Sequence, residues 1–92
     1  MSDELSDRLE TTIEQYKALI EQRVREPIAR HHRIDPTIDP KRVVEIQIRQ
    51  ERERLERMAD QLEENDRDGA AAIMRGLADE WLTELEHSLK FG

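Results

Sequence analysis

The sequence predicts a mainly α protein in which an N-terminal helix precedes a strand-helix-helix unit that works as a dimer. Three observations lead there. Apolar residues recur at helical spacing on both sides of the centre, the central run Arg42–Gln50 alternates apolar and polar residues, and 40% of the residues are charged against 3% aromatic. So charged a composition means long helices with solvated faces or partial disorder, and the periodicity decides for helix.

The first element covers the first 26 residues or so. Leu9, Ile13, Tyr16 and Ile20 lie at spacings of four, three and four, one face of a helix. Ser6 offers a start, with Asp3, Glu4 and Asp7 near the positive end of the helix dipole. Pro27 lacks an amide hydrogen, so the helix is expected to end or kink there, with one further turn over Ile28–His32. Residues 33–40 (Arg-Ile-Asp-Pro-Thr-Ile-Asp-Pro) read as a linker, because each proline pushes the aspartate before it toward extended backbone. The chain thus divides into an N-terminal helical arm, 1–32, a linker, 33–40, and a domain, 41–92.

In that domain Val44, Ile46 and Ile48 alternate with Glu45, Gln47 and Arg49, and the apolar members are all β-branched, as a half-buried strand prefers. The rival is a helix capped by Asp39 with Pro40 in its first turn. Against the rival, Arg49–Arg54 contains no apolar residue for more than one turn. A continuous helix would also place Glu51 in the seam of Val44, Ile48, Leu55, Met58 and Leu62, which costs stability unless the carboxylate is paired. A strand handing over to a helix near Gln50 avoids both problems and is the expected arrangement; an all-α three-helix bundle is the alternative. Leu55, Met58, Ala59 and Leu62 then form one helical face, Asn65–Gly69 a polar break, and Ile73, Leu77, Trp81, Leu85 and Leu89 the stripe of a last helix.

Strand, helix, tight break and longer helix over Lys41–Leu85 resemble the ribbon-helix-helix DNA-binding family of Arc/MetJ type. The run Ile73-Met-Arg-Gly-Leu-Ala-Asp-Glu-Trp-Leu82 is similar to that family's second helix. The resemblance implies two chains pairing their strands into a ribbon that enters the major groove of duplex DNA, hence a transcriptional regulator. Carried over, Glu45, Gln47 and Arg49 would meet base edges, and Lys41, Arg42, Arg52 and Arg54 would meet phosphates. Val44, Ile46, Ile48, Leu55, Leu62, Ile73, Leu77 and Trp81 would form the dimer core. Asp66 and Asp68 depart from the pattern, standing where the family's helix terminus receives a phosphate.

The alternative function is an all-α oligomeric adaptor, chaperone or assembly protein acting by protein-protein contacts. A chain of 92 residues buries only about 60–65% of its unfolded surface, so oligomerisation, to a homodimer or beyond, is expected under either reading. The arm adds a possible partner surface. Net charge is −7, with residues 1–22 at −4, 23–57 at +3 and 58–92 at −6. A locally basic middle inside an acidic chain pairs either with its own ends or with an anion.

Chemistry is sparse. Glu84 and His87 have the Glu-x-x-His spacing of di-iron bundles, with Glu14 and Glu21 as conceivable co-ligands, but 22 acidic residues produce such spacings by chance. His31 and His32 beside Arg30 and Arg33 point in different directions on a helix and suit a solvated basic turn. Gln50–Arg57 resembles the second helix of the small three-helix chorismate mutases. Those enzymes hold a dianionic substrate with arginines and a lysine on a long first helix, which Pro27 would interrupt here and which has no lysine at the expected place beyond it. No activated nucleophile, phosphate-cradling glycine loop or acid/base pair stands out, so neither catalysis nor a cofactor nor a metal is expected. The absence of cysteine, of a signal peptide's basic start and of a long apolar run points to a cytoplasmic protein without a membrane span.

Overall fold

The computed structural model describes the backbone of residues 2–92 and the side chains of residues 11–92. The expected roles of Leu9 and of the acidic residues near the start lie outside the described side chains. Helix dominates: α1 spans Ser2–Ile34, α2 Pro40–Glu64, α3 Asp68–Gly76, and α4 Leu82–Phe91, with a π-helical turn, Leu77–Trp81, joining α3 to α4. Among the described residues there is no strand.

This overturns the ribbon. Residues 43–49 are helical, so the alternating unit does not form and the ribbon-helix-helix resemblance fails with it. The start signal prevails over β-propensity. The Asp39 carboxylate accepts the Lys41 amide at 3.0 Å, and Pro40 occupies the first turn, where its missing donor costs nothing. Val44, Ile48, Leu55 and Ala59 then share one buried face, while Ile46, expected inside, is 46% exposed. β-Branched residues fit a strand chiefly through the packing a sheet provides, and among the described residues there is no sheet to provide it.

Pro27 does not end α1. The helix runs through it to Ile34, with Ile20 and Val24 fully buried on the near side and Ile28 packed against the core on the far side. Thirty-three helical residues span about 50 Å, which accounts for the 52 Å long axis of the molecule. The connection shrinks to residues 35–39, where Asp35 accepts hydrogen bonds from the Thr37 amide and hydroxyl. Those bonds, the hydroxyl's first, hold the Asp35 carboxyl below its ordinary range.

The α2–α3 break closes as a Schellman motif. Asp66 takes φ 60°, the Asp66 amide donates to Glu63 O at 3.0 Å, and the Arg67 amide donates to Leu62 O at 2.8 Å. Two of the four carbonyls that every helix end leaves open are satisfied in this way. The chain then reverses, and Ala59, Ala71 and Ala78, all fully buried, mark this hairpin as closely packed.

The last rod has one unusual turn with a sequence cause. Leu77, Trp81, Leu85 and Leu89 all belong to the core or pack on it, yet they are spaced by four throughout. In an α-helix each such step drifts by about 40°, so three steps would carry the stripe about 120° around the rod. The π-turn takes up an extra residue, signalled by the Leu82 amide donating to Leu77 O, and keeps the stripe facing inward. Carbonyls beside this turn find side-chain donors: Arg52 Nε donates to Ala78 O at 3.0 Å, and Thr83 Oγ1 to Asp79 O at 2.6 Å.

Candidate protein-contact site

Two cross-helix contacts set the register of α1 on α2. The Tyr16 hydroxyl donates to Met58 Sδ at 3.2 Å, and Arg23 Nη2 meets Glu51 Oε2 at 2.9 Å. Both partners step by seven residues, so the helices run antiparallel with the two contacts two turns apart. Glu51 is the buried seam position that a continuous helix required, its side chain only 7% exposed, and its charge is met by Arg23 and, at 3.8 Å, by Arg54. Arg23 Nε, buried in the same seam, has no partner. The pair is therefore a specific but incompletely satisfied polar contact inside an apolar interface.

Beyond Tyr16, toward the α1 N-terminus, the three helices frame a groove of about 230 Å³. Thr12, Ile13 and Tyr16 line it from α1, Met58 from α2, and Ala70, Ile73, Met74 and Leu77 from the last rod. Its wall exposes only apolar atoms. Ile13, Tyr16, Met58, Ile73 and Met74 are all half-buried, with apolar surface still open.

Four of the seven residues assigned to DNA, Lys41, Glu45, Arg52 and Arg54, make contacts within the chain. Glu45 holds Lys90 across the α2–α4 seam at 2.7 Å, and this hydrogen bond, reinforced by the lysine's charge, lowers the Glu45 carboxyl below its usual range. The same pairing raises Lys90. Gln47 is half-buried and Arg49 exposed; at about 100° per residue Glu45 and Arg49 share one face of α2 while Gln47 points to the other side, so the three supposed base readers do not form one reading row. Lys41 sits 4.7 Å from the Phe91 ring centre, Arg52 reaches Ala78 O and Thr83, Arg54 approaches Glu51, and Arg42 is exposed. Of the supposed dimer core, Val44, Ile48, Leu55 and Leu77 are buried within one chain, whereas Leu62, Ile73 and Trp81 are half-buried.

The basic middle does not simply neutralise the acidic ends. Arg30, Arg54 and Arg57 face Glu26, Glu51 and Glu53 of the same middle segment, and of its cations only Arg25 reaches a carboxylate outside it, Glu21, among the described residues. Arg75 instead joins Asp60 and Glu63 across the hairpin, and its hydrogen bond, then its charge, lowers Glu63. Among the described residues no three histidine, aspartate or glutamate side chains gather as a metal site, and Glu14 and Glu21 are engaged by Lys17 and Arg25. His31 and His32 are exposed in the last turn of α1, and Glu84 and His87 on α4. Gln50–Arg57 lies on α2, with Arg52 turned into the α4 seam.

Sequence reasoning missed Val24, Val43 and Ala71 as buried positions. Val24 was within reach, four residues beyond Ile20 on the same stripe. Among the described residues no helix is long and apolar enough to cross a membrane. Fold and site together define an all-α helical bundle with an open apolar groove. Comparison with family models, with curated proteins and with solved structures returned no match.

Proposed function

We propose that this protein acts by protein-protein contact, as an adaptor or assembly subunit and not as a catalyst. Its groove between α1, α2 and the last rod would receive an apolar anchor from a partner's amphipathic helix. The observation that carries the reading is the groove itself, wholly apolar in its wall and open to solvent. At about 230 Å³ it falls below the roughly 300–1,000 Å³ of small-molecule sites and suits a buried side-chain anchor. Met58 and Met74, unbranched and polarizable, adapt readily to an incoming side chain. Helix-in-groove recognition works with such anchors, repeated at three- and four-residue steps. A partner contact made partly by α1 also gives the N-terminal helix a role beyond completing the core.

The test is a photo-crosslinker placed at position 73, with position 33, on the exposed end of α1, as control. The expected result is a protein captured at 73 only, which then binds the purified chain in solution and loses that binding on Ile73→Glu. Equal capture at both positions, or binding indifferent to Ile73→Glu, overturns the reading. A chorismate mutase assay on the purified protein is expected to give no turnover above the uncatalysed rate. Measurable turnover would replace the contact reading with an enzymatic one.

A further inference from the structure

We infer that the face shared by α2 and α4 docks a second copy of this chain in an antiparallel, two-fold arrangement. The inference rests on the protein-contact reading but uses a face away from the groove. α2 and α4 lie side by side in opposite directions: Glu45 is level with Lys90, and Arg52 with Thr83. At one end of this face Arg42, Ile46 and Arg49 are exposed at spacings of four and three, one stripe of α2. Neither Arg42 nor Arg49 has an ion-pair partner among the described residues. The carboxylates nearby are occupied, Asp39 by the Lys41 amide and Glu45 and Glu86 by Lys90. Ile46 is 46% exposed and Phe91, under Lys41 at the same end, 66% exposed.

At the other end Asp79, Glu80 and Glu84 are exposed, and none has a cationic partner among the described residues. The levels set by Glu45–Lys90 and Arg52–Thr83 place this acidic group about two turns, on the order of 10 Å, from the basic stripe. A two-fold axis lying in the face, crossing the line between the two groups at its midpoint, lays the arginines of each copy on the carboxylates of the other. A parallel arrangement would set like charge on like and is disfavoured. Ile46 lies between the two arginines, so the exposed isoleucine of α2 is covered by the other copy as the charges pair. Such a closed interface uses one self-complementary patch twice.

The experiment is sedimentation equilibrium on the full chain at low and at high salt. The unaltered protein is expected to be a dimer that weakens at least tenfold as salt rises. Arg42→Glu with Arg49→Glu turns the basic stripe acidic, and Asp79→Lys with Glu84→Lys turns the acidic group net basic. Each double variant alone is expected to be monomeric with unchanged helical circular dichroism, and their 1:1 mixture to form a heterodimer. All four positions are exposed, so folding should survive. A monomer at submillimolar concentration in low salt, or a dimer indifferent to both reversals, overturns the inference. Ile73→Glu, in the groove, should leave the dimer intact. Failure to capture a partner at position 73 while the unaltered chain dimerises would thus fault only the groove assignment, and a groove partner captured by a monomeric chain only the dimer.

Discussion

The two helix seams of this molecule are built on different principles. The α2/α3–α4 hairpin is closely packed, with Ala59, Ala71 and Ala78 letting the backbones approach while Leu55 and Leu82 fill the centre. Its turn satisfies its own carbonyls, and Arg75, Lys90 and Arg52 tie its two arms together. α1 reaches α2 through a narrower contact, in which Ile20 and Val24 share the seam with a charged pair and the helix must run through a proline. The hairpin is held by packing, which tolerates little and specifies weakly. The α1 seam is held by register, because one carboxylate must find one guanidinium.

The sharpest way to break the comparison is at the centre both seams share. Leu55→Ala removes a fully buried side chain from the middle of α2 and should cost about 3–4 kcal/mol, read as a lowered urea midpoint with helix lost throughout. Next comes the charged pair. Arg23→Met leaves the buried Glu51 carboxylate with only the longer contact to Arg54 and should cost about 2–3 kcal/mol, less than a fully buried pair because a third of Arg23 is exposed. The double variant Arg23→Met with Glu51→Met should return to the original stability or exceed it. If the double variant is as unstable as the single one, the pair is not the element that positions α1. Hydrogen exchange should show the α1 amides opening first in Arg23→Met, ahead of those in α2.

Pro27→Ala tests the same seam in the opposite direction. Restoring an amide donor and removing the ring's crowding should stabilise the protein by about 1–2 kcal/mol, visible as a raised melting temperature. No gain would mean the surrounding packing already compensates for the proline. The smallest effect is on the hairpin's surface pairs and is read in acid. Glu45 and Glu63 have lowered carboxyl values in the folded state, so the stability they contribute is present above the unfolded-state range and lost as pH falls through the lowered values. Lys90→Met and Arg75→Met should each flatten the loss of stability below the usual glutamate range. An unchanged acid response in either variant would separate that pair from hairpin stability.

Much of this was legible in the residues. The two outer helices, the Asp39–Pro40 start and the polar break before Gly69 all follow from spacing and capping chemistry. What misled was the centre, for a definable reason. Val44, Ile46 and Ile48 satisfy a period of two, while Val44, Ile48, Glu51 and Leu55 satisfy a helical period only if a glutamate is accepted as a seam residue. The partner that makes Glu51 acceptable is Arg23, 28 residues earlier on another helix, a tertiary fact that no local pattern contains. Pro27 misled in the same way, since its cost is met by apolar neighbours on both sides rather than by local sequence. The groove was hidden because Ile13, Met58 and Ile73 each read as ordinary core. Only their placement leaves them half-covered.

The π-turn at Leu77–Trp81 has a consequence for how this chain can change length. It makes the last rod one residue longer than a plain α-helix would need to carry the same inward stripe. Removing an exposed residue there, Glu80 for example, would let the turn relax to ordinary α-geometry while Leu82, Leu85 and Leu89 kept their facing. Deletions inside helices usually rotate everything downstream by about 100°. At this one place the molecule holds a spare residue, so a shortened variant should fold where deletions elsewhere in the rod would not.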